Sequence, residues 1–584
     1  MDADCFNNFI DSNFLIDLPI CGRLFTWFRG DGISMSRLDR FLLPEKWCEV
    51  WPTCIQVAHQ RGLSDHVPLL LHVDDANWGP RPLRMLKCWA DFPGYDDFVR
   101  NTWGSFLVDG WRGFVLRKKL KMIKVCLKEW HQQHSQNLAS KITSVKNRIS
   151  ILDEKGEVAV LQDEEIEELH DLSLHLHSLA RVHNSMNWQK SRMTWLREGD
   201  ANSKFFHGAM STRRRQNAIN MISVGGSHVE RVHKIRSAVF DHFSTHFKAV
   251  GENRPGLEGL NFRKISCREA GLLIKPFSLE EVKSAVWDCD GFKSLGPDGI
   301  NFDFIKKIWD TLKVDFMDFL IEFHRNGKLS KGINSTFIAL IPKVQSPQRL
   351  NDFRPISLVG CMYKVVAKVL ANRLRSVIGS VVSDSQSAFV KGKQILDGIL
   401  IANEVVDEAR RSKKELLMFK VDFEKAYDSV DLKYLDAVMV KMNFPTLWRK
   451  WINECVGTAV ASVLVNGSPT EEFPMERGLR QGDPLSPILF LLAAEGFNVL
   501  MNAMVGADLF HGFEVGSGSE VHLTHLQFAD DTLIMGGKSW LNVRSMRAVL
   551  LLFKDVSGLK VNFHKSMLTG VNISIFGWWR LRRC

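Results

Sequence analysis

Three aspartates stand at predicted strand ends, where carboxylates can do chemistry. Apolar residues 416–421 predict a buried strand that ends at Asp422, and residues 521–535 predict a hairpin whose turn holds Asp530 and Asp531. Adjacent carboxylates in apolar surroundings are costly unless a cation neutralises them, and hard oxygen ligands suit Mg²⁺. If the strand lies beside the hairpin, the three carboxylates converge. That geometry can hold two metal ions about 4 Å apart for in-line phosphoryl transfer.

The elements that must position these residues form several regions. Residues 1 to about 76 predict short strands and loops, and long helices are predicted between about residues 111 and 196. From about residue 278 onward, helices and strands alternate, which is typical of an α/β or α+β domain. Basic side chains concentrate in residues 117–128 and 189–215. Solvated helix faces and contacts with nucleic acid both account for these two basic segments.

The composition excludes several classes of protein. The chain has 584 residues, of which 24% are charged and 45% hydrophobic, and its net charge is +10. These values are ordinary for a globular protein and rule out a mostly disordered chain or a collagen. The positive excess permits a polyanionic partner such as nucleic acid without requiring one. The 11 cysteines include no C-x-x-C pair, which indicates reduced thiols in an intracellular protein.

Targeting and membrane signals are not recognised in the sequence. The N-terminus lacks the basic start and the apolar run of a secretory signal. The most apolar stretch, residues 488–494, is predicted to stop at Glu495, well short of the roughly 20 residues that span a bilayer. We therefore expect a soluble nuclear or cytoplasmic protein without a membrane partner. The sequence leaves its oligomeric state open.

The motifs around the three aspartates resemble those of reverse transcriptases. Turns favour Asp, so the Asp530–Asp531 pair alone would be weak evidence. However, residues 528–531 resemble the catalytic box of that family, residues 421–428 its first carboxylate motif, and residues 477–487 its central motif. Further matches follow in the family's order at residues 296–299, 341–343, 352–358, 386–389 and 557–566. The best match is the reverse transcriptase of a plant-like LINE-type (non-LTR) retrotransposon.

This resemblance implies an α+β fold with a right-hand polymerase palm and fingers and a mostly missing thumb. It also implies that a long α-helical connector and a β-rich endonuclease remnant precede the polymerase. The implied boundaries are residues 1–76 for the C-terminal remnant of an endonuclease/exonuclease/phosphatase domain, 77–255 for the basic helical connector, 256–570 for fingers and palm, and 571–584 for a tail outside the family pattern.

The implied activity is RNA-directed DNA polymerisation, with an RNA template, a DNA primer or target, and dNTPs as partners. A catalytically dead nucleic-acid-binding relic is one alternative. A group II intron maturase is a less favoured alternative, because the endonuclease-like residues Asp65 and His66 argue against it.

By resemblance, the aspartates have distinct roles. Asp422 and Asp530 are expected to bind two Mg²⁺ ions, for which Mn²⁺ can substitute, and Asp531 supports the metal site. The backbone carbonyl of Phe423 is expected to complete the metal shell. One metal would lower the pKa of the primer 3′-OH and the other would neutralise the leaving pyrophosphate.

Three further residues match nucleotide-contacting positions of the family. Tyr427 lies where a ring packs under the deoxyribose and would clash with a 2′-OH; the alternative is a core aromatic near a strand end. Gln481 and Gly482 match the segment that packs against the incoming nucleotide and the template. A plain turn before a helix explains the glycine equally well.

Basic residues match the triphosphate site. Lys343 and Arg354 match cations of the fingers that would hold the triphosphate, and Lys565 could protonate the leaving pyrophosphate. Solvated surface cations are the alternative for all three. Residues 296–299 are expected to be a loop defined by its turn chemistry, at the entry to the fingers.

The N-terminal residues resemble the end of an exonuclease–endonuclease–phosphatase domain. His66 would act as base on water, Asp39 would orient it, and Asp65 would assist at the metal. Only about 70 residues match, and Asp17 does not replace the family's upstream metal ligands. We therefore expect no nuclease activity, and we expect Trp27 to be a core residue.

Overall fold

The described part of the chain covers most of the sequence. The computed structural model describes residues 2–13, 15–51, 53–135, 138–191, 217–249, 251, 254–344, 346–516 and 521–573. Nearly all of the predicted basic segment 189–215 and of the predicted tail 571–584 lies outside these described residues.

The described residues form a mixture of helices and strands, which agrees with an α+β fold. The helices are α1 (Asp2–Ser12), α2 (Glu45–Val50), α3 (Tyr95–Ser105), α4 (Arg112–Ser135), α5 (Leu138–Val158), α6 (Asp163–Ser191), α7 (Val232–His246), α8 (Cys267–Ile274), α9 (Leu279–Trp287), α10 (Phe302–Lys307), α11 (Trp309–Asn326), α12 (Cys361–Val381), α13 (Ile395–Ser412), α14 (Ala426–Ser429), α15 (Leu432–Lys441), α16 (Thr446–Gly457), α17 (Ser486–Gly506) and α18 (Trp540–Ser557). The strands are β1 (Leu15–Asp17), β2 (Ile20–Cys21), β3 (Trp27–Phe28), β4 (Met35–Ser36), β5 (Leu42–Pro44), β6 (Cys54–Ala58), β7 (Leu69–Val73), β8 (Ile222–Val224), β9 (Ser227–Val229), β10 (Ser335–Pro342), β11 (Phe353–Val359), β12 (Leu416–Val421), β13 (Val460–Val465), β14 (Ser468–Pro469), β15 (Phe473–Pro474), β16 (Phe513–Val515), β17 (Val521–Leu523), β18 (His525–Phe528), β19 (Asp531–Gly537) and β20 (Met567–Val571).

A four-stranded antiparallel sheet, the aspartate sheet, has the strand order β18-β19-β12-β20. The predicted strand before Asp422 is confirmed as β12, which is apolar and largely buried at both ends. The predicted hairpin is confirmed from His525 onward, because β18 and β19 pair through the register of Phe528 with Asp531. Its first part was predicted wrongly: β17 pairs with β16 instead, so the hairpin is shorter than expected.

A second sheet positions Lys343 and Arg354, the two basic residues predicted in the fingers. Its path is β11-β10-β13-β14, and β15 also pairs with β13. Strands β10 and β11 are antiparallel, with Ile341 opposite Arg354 and Pro342 opposite Phe353. This register places Lys343, which follows β10, at the same end of the pair as Arg354.

The N-terminal strands form small sheets of their own. Strands β2, β6 and β7 make a three-stranded sheet, and β1 with β5 and β3 with β4 make two-stranded ones. The predicted short strands of residues 1–76 are therefore confirmed. The helices α1 and α2 flank them and were not expected from the sequence.

The predicted long helices are α4, α5 and α6. Helices α5 and α6 pack side by side, and Arg148 donates two hydrogen bonds to Glu168 across them at 2.8 and 2.7 Å. In α4, two of the predicted basic residues make internal contacts: Lys119 pairs with Asp315 at 3.2 Å, and Lys124 donates to the carbonyl of Asp298.

The main hydrophobic core is continuous across the predicted boundary at residues 255/256. Buried side chains of α3 and α4, such as Trp103 and Leu120, belong to the same cluster as Phe316 of α11 and Leu489 of α17. Trp103 also donates its indole N–H to Asp315 at 3.0 Å. Residues of the predicted connector therefore help to support the elements that position the aspartates, while the domain boundaries themselves stay predictions.

Helix α17 corrects the prediction that the apolar stretch stops at Glu495. The helix continues to Gly506, because the Glu495 carboxylate is buried and accepts hydrogen bonds from the Ser383 amide at 3.0 Å and the Asn498 side chain at 2.7 Å. Among the described residues, α17 alone has the length and apolar composition that would suffice to cross a bilayer. Most of it is buried inside the protein's own core, which makes this weak evidence for a membrane span.

Glu495 gives the stability of the protein a pH dependence. Burial raises its pKa to about 7, whereas an unfolded glutamate titrates near about 4.3. The folded state thus holds this proton more tightly, so the associated stability is present below about pH 4.3 and is lost as the pH rises through 7. We expect the free energy of unfolding of Glu495→Gln, relative to wild type, to rise by about 3 kcal/mol between pH 4.5 and 8.

Urea unfolding of both proteins across this range measures the effect. His525 acts in the opposite direction, since burial lowers its pKa to about 4. The contribution of His525 to the free energy of unfolding is therefore lost as the pH falls below about 6.5. Both proteins contain His525, so its contribution cancels in the difference. The exposed Glu472→Gln is the matched control, and parallel curves for wild type and Glu495→Gln would contradict the prediction.

Candidate active site

The first carboxylate, Asp422, follows directly after the buried strand β12. On the side away from β19, the matched block 557–566 holds the backbone of Asp422. The Asp422 amide donates to the Ser566 hydroxyl at 3.0 Å, and the Asp422 carbonyl accepts from the Asn562 amide at 2.7 Å. On the other side, Val421 pairs with Thr532 of β19. The sheet therefore sets Asp422 beside the turn that holds Asp530 and Asp531, which is the arrangement that the convergence of the three carboxylates requires.

Asp530 lies in an electrostatically unfavourable place for a carboxylate. Burial raises its pKa, Asp531 and Asp422 raise it further, and Arg354 and its own backbone amide oppose them. Asp531, the first residue of β19, is exposed. Among the described residues, no group of three or more His, Cys, Asp or Glu is arranged to hold a metal ion. The three aspartates are neighbours, but they do not make a ready-made set of three ligands.

Phe423 contributes to the same strand end through its backbone and its ring. It forms an antiparallel bridge with Val561, and its buried ring packs at 6.0 Å from that of Phe553. The role of its carbonyl at a metal stays a prediction.

Tyr427 lies on the short helix α14, close to the aspartates. Its ring stacks on Phe490 of α17 at 4.6 Å, and it is half-buried. Burial, and then Asp530, raise the pKa of Tyr427 to about 12. The ring is therefore both packed on the core and within the electrostatic reach of Asp530, which is compatible with either of its predicted roles.

Gln481 and Gly482 lie in a loop that docks on strand β11. The Gln481 carbonyl accepts a hydrogen bond from the Ser357 amide at 2.7 Å. Gly482 has φ +98°, and a Cβ there would lie 2.9 Å from the Ser357 carbonyl oxygen. The glycine is thus needed for a turn and for close approach to the protein's own backbone, which favours the plain-turn interpretation of Gly482.

A cationic rim, defined by Lys343, Arg354, Lys425 and Lys565, lies next to the aspartates. Burial lowers the pKa of Lys343, and Lys565 and Arg354 lower it further. Burial likewise lowers the pKa of Lys425, where Asp428 opposes and Lys343 adds to the shift. These mutual effects agree with the register of β10 and β11, which places Lys343 and Arg354 at the same end, and a cluster of cations is what a site for a polyanion would need.

Sequence reasoning missed Lys425 as a member of this rim. Asn351 orders the rim, because its carbonyl accepts from Lys343 Nζ at 3.1 Å and its side-chain oxygen accepts from Lys425 Nζ at 3.2 Å. Lys425 stands inside the first carboxylate motif, and that was the one signal in the sequence that could have indicated it.

A buried polar network positions the central motif and was also missed. Arg480 and Asp483 are both 3% exposed and pair at 2.9 Å. The Tyr363 hydroxyl donates to Asp483 at 2.7 Å, and the guanidinium of Arg480 lies 4.1 Å from the Tyr363 ring centroid. Arg480 also donates to the Asn334 side chain at 2.7 Å and to the Cys455 carbonyl at 3.0 Å. This network anchors the loop that holds Gln481.

The predicted loop 296–299 is a structural element. The Asp298 carboxylate accepts from the Ile300 amide at 3.3 Å and from the Cys361 amide at the start of α12. A Cβ at Gly296 would lie 2.4 Å from the Val359 backbone. The loop therefore caps a helix and packs against β11, in agreement with the expected turn chemistry.

The predicted endonuclease-like residues meet in the N-terminal part. His66 Nδ1 lies 2.8 Å from Asp39, and this hydrogen bond raises the pKa of His66. Asp65 accepts from the Trp27 indole at 2.9 Å, and Trp27 is only partly buried, so the prediction that it is a core residue is wrong. Asp17 pairs with Arg37 at 2.6 Å and Arg40 at 3.3 Å, which neutralises it.

Two carboxylates at neighbouring strand ends, faced by a rim of cations, define a class of site suited to nucleoside triphosphates and divalent metal ions. Comparison with known families is more specific. Residues 341–579 match the family "Reverse transcriptase (RNA-dependent DNA polymerase)".

The chain is also similar to proteins of transposable elements. It is 26% identical over 564 residues to the transposon TX1 uncharacterized 149 kDa protein of Xenopus laevis, covering 93% of this chain and 42% of that protein. It is 26% identical over 301 residues to the retrovirus-related Pol polyprotein from type-2 retrotransposable element R2DM of Drosophila melanogaster, covering 50% and 27%. A type-1 retrotransposable element R2 polyprotein of Popillia japonica is 23% identical over 304 residues, covering 51% and 40%.

Residues 341–579 are therefore similar to a reverse transcriptase domain, and the wider similarity of the chain is to proteins of transposable elements. The chain spans less than half the length of these curated relatives.

Proposed function

We propose that this chain is an RNA-directed DNA polymerase that adds a nucleotide from a dNTP to a primer 3′-OH on an RNA template. The observation that carries the proposal is the pairing of Val421 with Thr532, which sets Asp422 beside the Asp530 turn. The match of residues 341–579 to reverse transcriptases supports the same activity.

The acidic centre suits divalent cations. The pKa of Asp530 is raised by burial and by two neighbouring carboxylates, which is the electrostatic cost that a bound cation would remove. Asp422 and Asp530, together with the Phe423 carbonyl, would hold two Mg²⁺ ions or their Mn²⁺ substitutes. When bound, these ions supply a lower pKa for the primer 3′-OH and charge neutralisation for the leaving pyrophosphate.

The chain's own side chains would bind and orient the rest of the nucleotide. Lys343, Arg354 and Lys425 would hold the triphosphate through charge-assisted hydrogen bonds. Lys565, which lies close enough to Lys343 to lower its pKa, would donate the proton to the leaving pyrophosphate. Gln481 would face the nucleotide from the loop that the Arg480–Asp483 pair anchors.

Tyr427 would select dNTPs over rNTPs. In Tyr427→Val the ring that would block a 2′-OH is gone, so we expect the ratio of kcat/KM for dNTP over rNTP to fall by at least about tenfold, or ~1.4 kcal/mol. Tyr427→Phe is the matched control, since it keeps the ring on Phe490 and should keep the discrimination. Equal discrimination by wild type and Tyr427→Val would leave Tyr427 as a core aromatic.

Extension of an oligo(dT) primer on poly(rA) with dTTP and Mg²⁺ tests the activity. We expect time-dependent incorporation that stops when EDTA removes the metal. Salt-sensitive binding of the RNA–DNA duplex without any incorporation would contradict the proposal and favour the nucleic-acid-binding relic.

A further inference from the structure

The turn that holds Asp530 leaves a buried backbone amide without a partner in its own hairpin. The last cross-strand pair is Phe528 with Asp531, so Ala529 and Asp530 form the two-residue loop. Ala529 is buried and has φ +54°, a left-handed conformation that a residue with a Cβ adopts reluctantly. A buried N–H in such a turn needs an acceptor from elsewhere in the molecule.

Gln386 supplies that acceptor. Its side chain is 1% exposed, and its Oε1 accepts one hydrogen bond from the Ala529 amide at 3.0 Å and a second from the Ala388 amide at 3.0 Å. Because both neighbours are N–H donors, the orientation of the Gln386 amide is determined: the oxygen faces them. One buried oxygen thus ties the aspartate turn to a segment about 140 residues earlier in the sequence.

Backbone hydrogen bonds hold Gln386 in register with the turn. The Gln527 amide donates to the Ser385 carbonyl at 2.8 Å, and the Ser387 amide donates to the Gln527 carbonyl at 3.0 Å. Gln386 and Gln527 form a parallel bridge. Residues 385–387 therefore lie along the outer edge of β18 like a further short strand. This position places the Gln386 side chain at the turn between β18 and β19.

We propose that Gln386 is a positioning residue for the polymerase centre: it holds the Ala529 turn in its left-handed conformation and so fixes the direction of the Asp530 carboxylate relative to Asp422. It acts through the backbone and touches neither nucleotide nor metal. The proposal rests on the proposed function for its catalytic consequence, but the structural part stands independently of activity.

Hydrogen exchange at the Ala529 amide tests the structural part directly. Gln386→Met keeps the volume but removes the acceptor, so exchange at Ala529 should become about tenfold faster. Gln386→Glu keeps an acceptor oxygen at the same reach and should keep exchange slow. Gln527→Met is the matched control: this buried glutamine lies on β18, and its side chain donates to Thr532 at 3.4 Å. Unchanged exchange in a folded Gln386→Met would overturn the proposal.

If Gln386→Met does not fold, Gln386→Asn makes the same prediction, because it keeps the amide but shortens its reach by one methylene. Slow exchange at Ala529 in folded Gln386→Asn would equally overturn the proposal.

Kinetics tests the catalytic consequence. We expect Gln386→Met to lower kcat at least tenfold and to raise the Mg²⁺ concentration for half-maximal rate, with the KM for dTTP within twofold of wild type. Gln386→Glu should restore most of kcat, whereas a general structural defect would raise KM and would not be rescued. Faster exchange with unchanged kcat would refute the positioning role. If wild type itself lacks activity, the proposed function fails, and the exchange result still decides whether Gln386 holds the turn.

Discussion

Asp530→Asn should abolish Mg²⁺-dependent incorporation of dTTP on an RNA template, by at least about 1,000-fold in kcat. The substitution keeps the size of the side chain and removes the charge that would bind the metal. The fold should persist, since burial and the neighbouring Asp531 and Asp422 already disfavour the charged form of Asp530. The thermal midpoint without metal should therefore be no lower than that of wild type.

Two companion variants sharpen the result. Asp422→Asn should lose as much activity as Asp530→Asn, because both carboxylates serve the same ions. The exposed Asp555→Asn, at the end of α18, should stay within twofold of wild type. Retention of more than a tenth of wild-type kcat by a folded Asp530→Asn would show that the metal site has been assigned to the wrong residues.

Asp483→Asn should have the largest effect on stability. It leaves the buried Arg480 guanidinium without its counter-charge, and breaking a buried ion pair from one side costs about 3–5 kcal/mol. The loop with Gln481 loses its anchor at the same time, so the KM for dNTP should rise in assays well below the unfolding midpoint. Chemical denaturation gives the free energy of unfolding, and primer extension gives KM.

The matched control is the Asp436–Arg449 pair. Arg449 donates two hydrogen bonds to Asp436, at 2.8 and 2.6 Å, but both side chains are partly exposed. Asp436→Asn should therefore cost about 1 kcal/mol or less and leave KM unchanged. Equal costs for the two substitutions would mean that burial of Arg480 and Asp483 does not set the strength of their network.

Local sequence patterns were sufficient for the elements next to the aspartates. The apolar run 416–421 predicted β12, and the turn residues between two strand-like runs predicted the hairpin of β18 and β19. Both signals are short-range, so a single sequence is enough to detect them. The cations Lys343 and Arg354 were indicated by the resemblance to reverse transcriptases, since each stands in a matched motif.

Features that depend on distant contacts could not be predicted. Tyr363 and Asp483 are 120 residues apart, and only packing brings the hydroxyl to the buried carboxylate. Glu495 suggested the end of an apolar stretch, yet its carboxylate is satisfied by Ser383 of another segment, so the helix continues. Gln386 lay within a matched motif, but nothing in its spacing indicated that it would meet the amide of Ala529.

Binding of Mn²⁺, followed by electron paramagnetic resonance, tests most directly whether Asp422 and Asp530 share one metal site. Mn²⁺ would stand in for Mg²⁺, with the template–primer present and without dNTP, so that turnover is not needed. The pairing of β12 with β19 predicts that Asp422→Asn and Asp530→Asn each weaken the same binding event, and that the double variant is no worse than either single one. Independent, additive losses, or wild-type binding in either single variant, would contradict a shared site.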